Sequence, residues 1–202
     1  MARSHAALFR AAIAGAGVAA ANPQMTGADG LLPIAPQSPG LTDRIWWGSG
    51  TRQTAAWVGE QGMNLMSSTL LTEDTGVPFD ELQAEQITIF RSAWAEAGWE
   101  REPRVSVSRS IIALTDDRDR AYFGNPGMEE DQIGFIDERT RAIFGRGYSA
   151  EPDALIELLK QDDAIAEADT LLLTVPNQLG VAYNAHVIEA LLTHVAPALA
   201  WR

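Results

Sequence analysis

From residue 44 onward, short apolar runs alternate with longer amphipathic stretches, and this rhythm restricts the fold more than any other feature of the sequence. The apolar runs have the length of buried strands, and the longer stretches repeat their apolar residues at helical spacing. Strands that alternate with helices pair in parallel, because each helix carries the chain back across one face of the sheet. The pattern therefore predicts an α/β fold with a parallel sheet.

Four strand-helix units follow from this rhythm. The predicted pairs are 44–47 with 52–61, 63–66 with 79–97, 104–114 with 152–160, and 170–175 with 183–196. Two more helices, over 116–123 and from Glu129 to Phe144, are predicted between the third strand and the helix that Pro152 opens. Residues 1–43 are predicted to be a separate region, a helix over 2–14 followed by an irregular, proline-rich loop. Residues 44–202 are predicted to form the α/β domain.

Length and charge exclude several classes of protein. The 202 residues, 46% of them hydrophobic, suffice for one sizeable core, whereas a complete (β/α)8 barrel takes about 250 residues. Because 27 acidic residues face 15 basic ones, the formal net charge is −12. Such a chain repels phosphate backbones and anionic membrane surfaces. We therefore expect neither nucleic acid nor membrane as a partner.

Cysteine and histidine usage restricts the chemistry. The chain has no Cys, so it can form no disulfide, thiol nucleophile or iron–sulfur cluster. Its three His residues lack the spacing of metal ligands, and we predict no metal site. His186 and His194, eight residues apart on the last predicted helix, are interpreted as surface or packing residues. Any redox reaction would therefore need an organic cofactor.

The first residues allow two interpretations. Arg3 and Arg10 precede an Ala-rich stretch over 11–21 that resembles a secretory signal. However, this stretch contains Gly15 and Gly17 and no Leu, which favours a broken amphipathic helix. No run of about 20 apolar residues predicts a transmembrane helix. We therefore expect a cytoplasmic protein.

A Gly-rich turn between the first strand and its helix is the most informative short segment. Residues 48–51, Gly-Ser-Gly-Thr, place free backbone N–H groups at a helix N-terminus, which favours a bound phosphate. Thr51 and Thr54 lie one helical turn apart and can direct both hydroxyls at the same anion. The alternative is a plain turn in which Gly48 and Gly50 relieve backbone strain and Thr51 caps the helix. Spacing alone favours the plain turn, since two glycines are a weak motif.

Arg109 interrupts an otherwise apolar strand. A guanidinium in that position must be paired, so it either binds an anionic ligand or satisfies a structural carboxylate. Ser106, Ser108 and Ser110 alternate with apolar residues and give this strand a polar face. We include Arg109 among the candidate site residues, as a contact to substrate.

Other polar residues follow predicted strands at the end where parallel sheets carry their sites. Ser67, Ser68 and Thr69 follow the second strand, and Asn177 and Gln178 follow the fourth. Each group also has a local interpretation, as a Ser/Thr turn that caps the backbone or as the entry to a helix.

Several of these segments together resemble luciferase-like, flavin-dependent monooxygenases. The similar segments are Ile45-Trp46-Trp47-Gly48-Ser49-Gly50-Thr51 with Thr54 and Trp57, Gly62-Met63-Asn64-Leu65-Met66-Ser67-Ser68-Thr69, Val105 to Ile111, Gly147 to Pro152, and Leu171 to Pro176 with the final helix. The resemblance covers most of the chain from about Pro36 onward. It implies a partial (β/α)8 TIM barrel with parallel strands, corresponding to strands five to eight of the family barrel.

The resemblance also implies chemistry. Family members use FMN, or in some relatives F420, to oxidise small organic substrates, and the turn after the fifth strand holds the cofactor phosphate. That role falls here to Ser49, Gly50, Thr51 and Thr54, while no catalytic residue is identified. A flavin reductase and a second copy of the chain are the implied protein partners.

The chain departs from the family pattern at its N-terminal side. Family members begin with four βα units, and nothing before Arg44 predicts four strands. We expect a truncated product, a fragment, or a half-barrel that pairs with another subunit to cover its open sheet edges. The alternative function is therefore a non-catalytic flavin-binding or interaction half-barrel.

Overall fold

A computed structural model describes residues 1–27, 29–73, 75–125, 130–138 and 140–201. It contains two compact units, Met1–Trp46 and Trp47–Arg202. In the first unit, α1 (Ala2–Ile13) is followed by β1 (Gly17–Ala20), α2 (Pro23–Thr26), β2 (Leu31–Pro33) and a 3-10 turn at Leu41–Arg44. Helix α1 matches the prediction.

Part of the predicted irregular loop is a short antiparallel hairpin of β1 and β2. Gly17 permits the close approach of its strands, because a Cβ at this position would lie 2.3 Å from the Cβ of Leu31. Asn22 then caps α2 by accepting a hydrogen bond from the N–H of Gln24.

From Trp46, the last residue of the first unit, strands and helices alternate along the second unit. Its strands are β3 (Trp46–Ser49), β4 (Asn64–Ser67), β5 (Leu70–Leu71), β6 (Val105–Arg109), β7 (Ile111–Ala113), β8 (Gln132–Phe135), β9 (Arg141–Phe144), β10 (Tyr148–Ala150) and β11 (Thr170–Leu173). Its helices are α3 (Arg52–Glu60), α4 (Phe79–Glu96), α5 (Asp117–Phe123), α6 (Pro152–Lys160), α7 (Asp163–Glu167) and α8 (Val181–His194), with 3-10 turns at Asn177–Leu179 and Ala196–Leu199. No helix of the described residues is both long and apolar enough to cross a bilayer.

The main sheet has four strands in the order β11-β6-β4-β3. Strand β6 pairs in parallel with β4, with Val105 opposite Leu65, and with β11, with Val107 opposite Leu171. Beyond Ser110, β7 continues the path of β6 and pairs in parallel with β10. This arrangement confirms the predicted α/β fold with a parallel sheet. Within the described residues the sheet is open, with β3 and β11 at its edges.

The predicted helix from Glu129 to Phe144 is wrong for the residues that the structure describes, since β8 and β9 form an antiparallel hairpin there. Glu129 and Arg139 lie outside the described residues. The side chain of Asp137 accepts hydrogen bonds from the N–H and the hydroxyl of Thr140, which closes the hairpin turn. Strand β9 then pairs with β5, and Ile143 is buried against Leu71 and Phe79. Pairing of β9 with β5 and β8 therefore outweighs the acidic-to-basic charge order that predicted a helix here.

Helices cover one face of the sheet and bury its apolar residues. Val105 and Val107 of β6 are fully buried, and a second cluster packs β7 and β10 against α6 and α8. Each fully buried aliphatic side chain contributes roughly 1.5–3 kcal/mol. Helices α3 and α4 cross closely at Gly59, where a Cβ would lie 2.5 Å from the carbonyl oxygen of Phe90. This packing fixes α3, whose N-terminus carries the predicted phosphate turn.

Candidate functional site

The turn that leads into α3 uses its hydroxyls to hold its own backbone. Ser49 ends β3 fully buried, and its hydroxyl donates to the carbonyl oxygen of Thr51 at 2.9 Å. Thr51 is the N-cap of α3, and its Oγ1 accepts from the N–H of Thr54 at 3.1 Å. The same Oγ1 donates to Oγ1 of Thr54 at 2.9 Å. The structure thus brings Ser49, Thr51 and Thr54 together. Because the Thr54 hydroxyl accepts the hydrogen bond from Thr51, its own proton is not used in that contact.

A carboxylate of the chain itself lies at this helix N-terminus. The backbone N–H of Arg52, the first residue of α3, donates to Oε2 of Glu73 at 2.9 Å. The partial positive charge of a helix N-terminus attracts anions, and this contact is an example. The side chain of Arg52 points to another acid, since its Nε lies 2.9 Å from Oε2 of Glu85.

The segment over residues 68–73, which we call the strap, lies along the turn. The N–H of Ser68 donates to the carbonyl oxygen of Ser49 at 2.9 Å, and the N–H of Thr72 donates to that of Gly50 at 3.1 Å. Gly50 has no side chain at the contact, where a Cβ would lie 3.4 Å from the carbonyl oxygen of Leu70. The strap thereby carries Glu73 to the end of α3.

Ser67 at the end of β4 and Ser68 after it both use their hydroxyls in hydrogen bonds within the chain. The hydroxyl of Ser67 is buried and accepts from Nε2 of Gln83 at 2.8 Å. The hydroxyl of Ser68 accepts from the N–H of Leu70 at 3.3 Å. The contact of Ser68 agrees with its interpretation as a turn residue, whereas Ser67 ends β4 and joins this strand to α4.

Arg109 is buried on the helix-covered side of β6, on the same face as Val105 and Val107. Its Nε and Nη2 donate to the two carboxylate oxygens of Asp162 at 2.7 and 2.9 Å. The hydroxyl of Tyr148 donates to the same carboxylate at 2.7 Å. This geometry favours the structural alternative for Arg109, and its contact with substrate stays a prediction.

The opposite face of β6 carries Ser106 and Ser108, as the alternation predicts. The hydroxyl of Ser108 lies 3.3 Å from that of Thr174, which follows β11. Asn177 and Gln178 form a 3-10 turn ahead of α8. These residues lie near the carboxyl ends of the strands without forming a recognisable catalytic group.

Sequence reasoning missed a polar cluster around Asp119. Asp119 is fully buried in α5 and accepts hydrogen bonds from the hydroxyl of Tyr183 at 2.7 Å and from Nε2 of His186 at 2.9 Å. The N–H and hydroxyl of Thr115 also donate to it. Burial alone would raise the pKa of Asp119, but these hydrogen bonds outweigh it and hold that pKa well below its usual range. Nε2 of His186 therefore donates to an ionised carboxylate.

Two spacings could have revealed this cluster. Asp116 and Asp119 have the spacing of a capping box, which the structure contains, and Tyr183 and His186 lie one turn apart on α8. Ligand atoms of Asp116, Asp119 and His186 lie within 4.8 Å of one another. Because both oxygens of Asp119 already accept hydrogen bonds, a metal ion would have to displace these donors. We assign no metal to the cluster.

A groove of about 620 Å³ lies along β11, away from these groups. It extends past Asp169, Leu173, Leu192 and Trp201. None of the predicted site residues lines it.

Comparisons with known proteins identify the fold. The chain is similar to the crystal structure of monooxygenase RslO1 from Streptomyces bottropensis, with a TM-score of 0.61 and 14% sequence identity. The alignment covers 94% of this chain and 58% of that chain, so this chain spans less than two thirds of RslO1. The described fold is similar to part of a monooxygenase. No protein-family model matches the sequence, and a search of curated proteins found no match.

A second solved structure is similar over a smaller part. It is a type II Baeyer-Villiger monooxygenase, the oxygenating constituent of 3,6-diketocamphane monooxygenase from the CAM plasmid of Pseudomonas putida, in complex with FMN. Its TM-score is 0.48 at 14% identity, and the alignment covers 77% of this chain and 48% of that chain.

Proposed function

We propose that this chain is a flavin-dependent oxidoreductase of the luciferase-like class and that the N-terminus of α3 holds the phosphate of FMN. The observation that carries the proposal is the carboxylate of Glu73 on the N–H of Arg52, because it shows an anion at this helix end. The fold similarity to RslO1 supports an enzyme-like framework. In this proposal the four parallel strands correspond to strands five to eight of a family barrel.

The residues of the turn fit a phosphate in distinct ways. The N–H of Arg52 donates a hydrogen bond to the anion, and the hydroxyl of Thr54 has a proton to donate as a second one. Ser49 and Thr51 hold the turn in shape through their internal hydrogen bonds, and the missing side chain of Gly50 leaves room for the strap. Bound flavin, once reduced by the proposed flavin reductase, would supply the electrons with which dioxygen oxidises a small organic substrate. F420 is the alternative cofactor, since its phosphate can use the same donors.

A charge placed at the helix cap tests the phosphate contact. Thr51→Glu should weaken FMN binding at least about tenfold, because the added carboxylate repels the phosphate. Thr51→Ser keeps the cap hydroxyl and should bind FMN like the parent chain. Thr88→Glu, on the exposed side of α4, adds the same charge elsewhere and is the matched control. The measurement is the dissociation constant of FMN by quenching of its fluorescence, and equal affinity of Thr51→Glu and Thr88→Glu would refute the assignment.

A non-catalytic flavin-binding half-barrel is the second candidate. The pairing of Arg109 with Asp162 favours it, because this geometry leaves the predicted substrate contact on the helix-covered side of the sheet. Oxygen consumption with reduced FMN and candidate substrates, measured above the rate at which free reduced FMN reacts with dioxygen, distinguishes the two functions. A faster rate with the chain supports the oxidoreductase, while FMN binding at the protein-free rate supports the half-barrel that only binds. A flavin reductase and a second copy of the chain remain the proposed partners.

A further inference from the structure

We propose that the Glu73 carboxylate competes with the cofactor phosphate for the backbone N–H of Arg52 at the N-terminus of α3, a position we call the phosphate seat. The cofactor then binds only when the Glu73 side chain leaves this position. This inference rests on the proposed function, because it concerns the regulation of the same site. Two observations carry it, the position of the Glu73 carboxylate on the Arg52 amide and the attachment of the strap to the turn.

Backbone hydrogen bonds hold the strap against the turn and so place Glu73 at the phosphate seat. Ser68 and Thr72 donate hydrogen bonds to the carbonyl oxygens of Ser49 and Gly50, so the strap and the turn are joined at two points. Glu73 lies two residues beyond the end of β5 and is half-buried. Its side chain can therefore leave the Arg52 amide while the backbone contacts of the strap remain.

Occupancy by Glu73 and by a phosphate is mutually exclusive. The Arg52 N–H has one proton to donate, and the Glu73 carboxylate accepts this hydrogen bond at 2.9 Å. A second anion at the same place would meet like-charge repulsion from the first. The Arg52 guanidinium does not relieve this repulsion, because its Nε already faces Glu85.

The competition lowers the apparent affinity of the cofactor phosphate. When only a fraction of molecules has a free seat, the apparent dissociation constant rises in inverse proportion to that fraction. Glu73→Gln keeps the size of the side chain but removes its charge, and Glu73→Ala removes the competing group entirely. We expect both variants to bind FMN about tenfold more tightly than the parent chain, an effect in the range of a helix-terminus charge contact.

Riboflavin provides the internal reference because it lacks the phosphate. Calorimetric titration of FMN and of riboflavin into the parent chain and the variants separates the phosphate contribution from that of the ring. Riboflavin affinity should change by less than about twofold in every variant, since its ring does not compete with a carboxylate at the seat. Glu85→Gln is the matched control, because it removes a neighbouring acid that contacts the Arg52 side chain instead of the backbone N–H.

The outcomes separate this inference from the proposed function. A gain in FMN affinity for Glu73→Gln and Glu73→Ala, absent in Glu85→Gln and absent for riboflavin, supports the competition. If the parent chain prefers FMN to riboflavin but neither Glu73 variant gains affinity, the competition is refuted and the phosphate site stands. If all chains bind FMN no better than riboflavin, the phosphate site and the competition fall together. Melting curves of the two Glu73 variants confirm that each is folded.

Discussion

At the scale of single residues, two buried carboxylates join distant parts of the helix layer. Asp162 caps α7 and accepts hydrogen bonds from Arg109 and Tyr148, and Asp119 joins α5 to α8. Burial opposes ionisation of Asp162, but the hydrogen bonds and charge of Arg109 outweigh it and lower the pKa of this carboxyl. Both acids therefore stabilise the fold in their ionised form.

Removing Arg109 tests the structural alternative. Arg109→Met leaves Asp162 buried without its cation, and we expect a loss of roughly 3 kcal/mol in the free energy of unfolding. Arg91→Met removes a cation from the exposed pair with Glu167 and should cost less than about 1 kcal/mol. Urea denaturation measures both. Equal stability of the two variants, with weaker ligand binding only in Arg109→Met, would instead identify Arg109 as a ligand contact.

The lowered pKa values of Asp119 and Asp162 predict the direction of acid sensitivity. A carboxyl whose pKa is lower in the folded chain than in the unfolded chain stabilises the fold above the unfolded pKa of about 4. That stabilisation is lost as the pH falls below about 4 toward the folded pKa. Asp119→Asn and Asp162→Asn should therefore be less stable at pH 7 and lose less stability than the parent chain between pH 5 and pH 3. Asp153→Asn, an exposed position in α6, is the control and should keep the parent's pH dependence in urea denaturation.

Some contacts of single residues can be predicted from the sequence, and others cannot. An arginine in an apolar strand indicates a paired guanidinium, but its partner Asp162 lies 53 residues away and no local pattern points to it. Likewise, the helix cap at Thr51 follows from local spacing, whereas the arrival of Glu73 at the same helix depends on the path of the strap. Partners that meet only after folding are invisible to periodicity.

At the scale of elements, the close crossing of α3 and α4 holds the turn over residues 48–51 in place. Gly59 makes this approach possible, since an added Cβ would lie 2.5 Å from the Phe90 carbonyl oxygen and 3.0 Å from the Trp94 nitrogen. Backbone atoms cannot yield as a side chain can. The position of the α3 N-terminus therefore depends on a glycine seven residues after its first amide donor.

Gly59→Ala tests the importance of this crossing. We expect a loss of at least about 2 kcal/mol in the free energy of unfolding, because the two helices must separate. Gly48→Ala is the control, since its Cβ would make an ordinary contact of 3.6 Å with Met66. Thermal and urea denaturation of both variants measure the difference, and a Gly59→Ala chain as stable as Gly48→Ala would show that the crossing adapts freely.

The elements differ in how well local sequence predicts them. Helix α6 follows the prediction at both ends, since Pro152 opens it and its apolar residues keep helical spacing. The β8–β9 hairpin does not, because its charges fit the polarity of a helix while Gly134 and the turn at Asp137 favour strands. Pairing of β9 with β5 decides the outcome, and that contact joins Leu70 and Phe144, which are far apart in the sequence.

At the scale of the whole molecule, the second unit is an open parallel sheet covered by helices, similar to part of a larger monooxygenase. The sequence rhythm is sufficient to predict the order of the main strands and helices. It does not reveal which groups complete a catalytic site. Phosphate binding at the N-terminus of α3 therefore stays a proposal.

A crystal structure of the chain with FMN is the most direct test of the phosphate site. We expect a phosphate oxygen about 3 Å from the backbone nitrogen of Arg52, within reach of the Thr54 hydroxyl, with the Glu73 side chain displaced. FMN bound elsewhere, with Glu73 still on the Arg52 amide, would contradict the assignment.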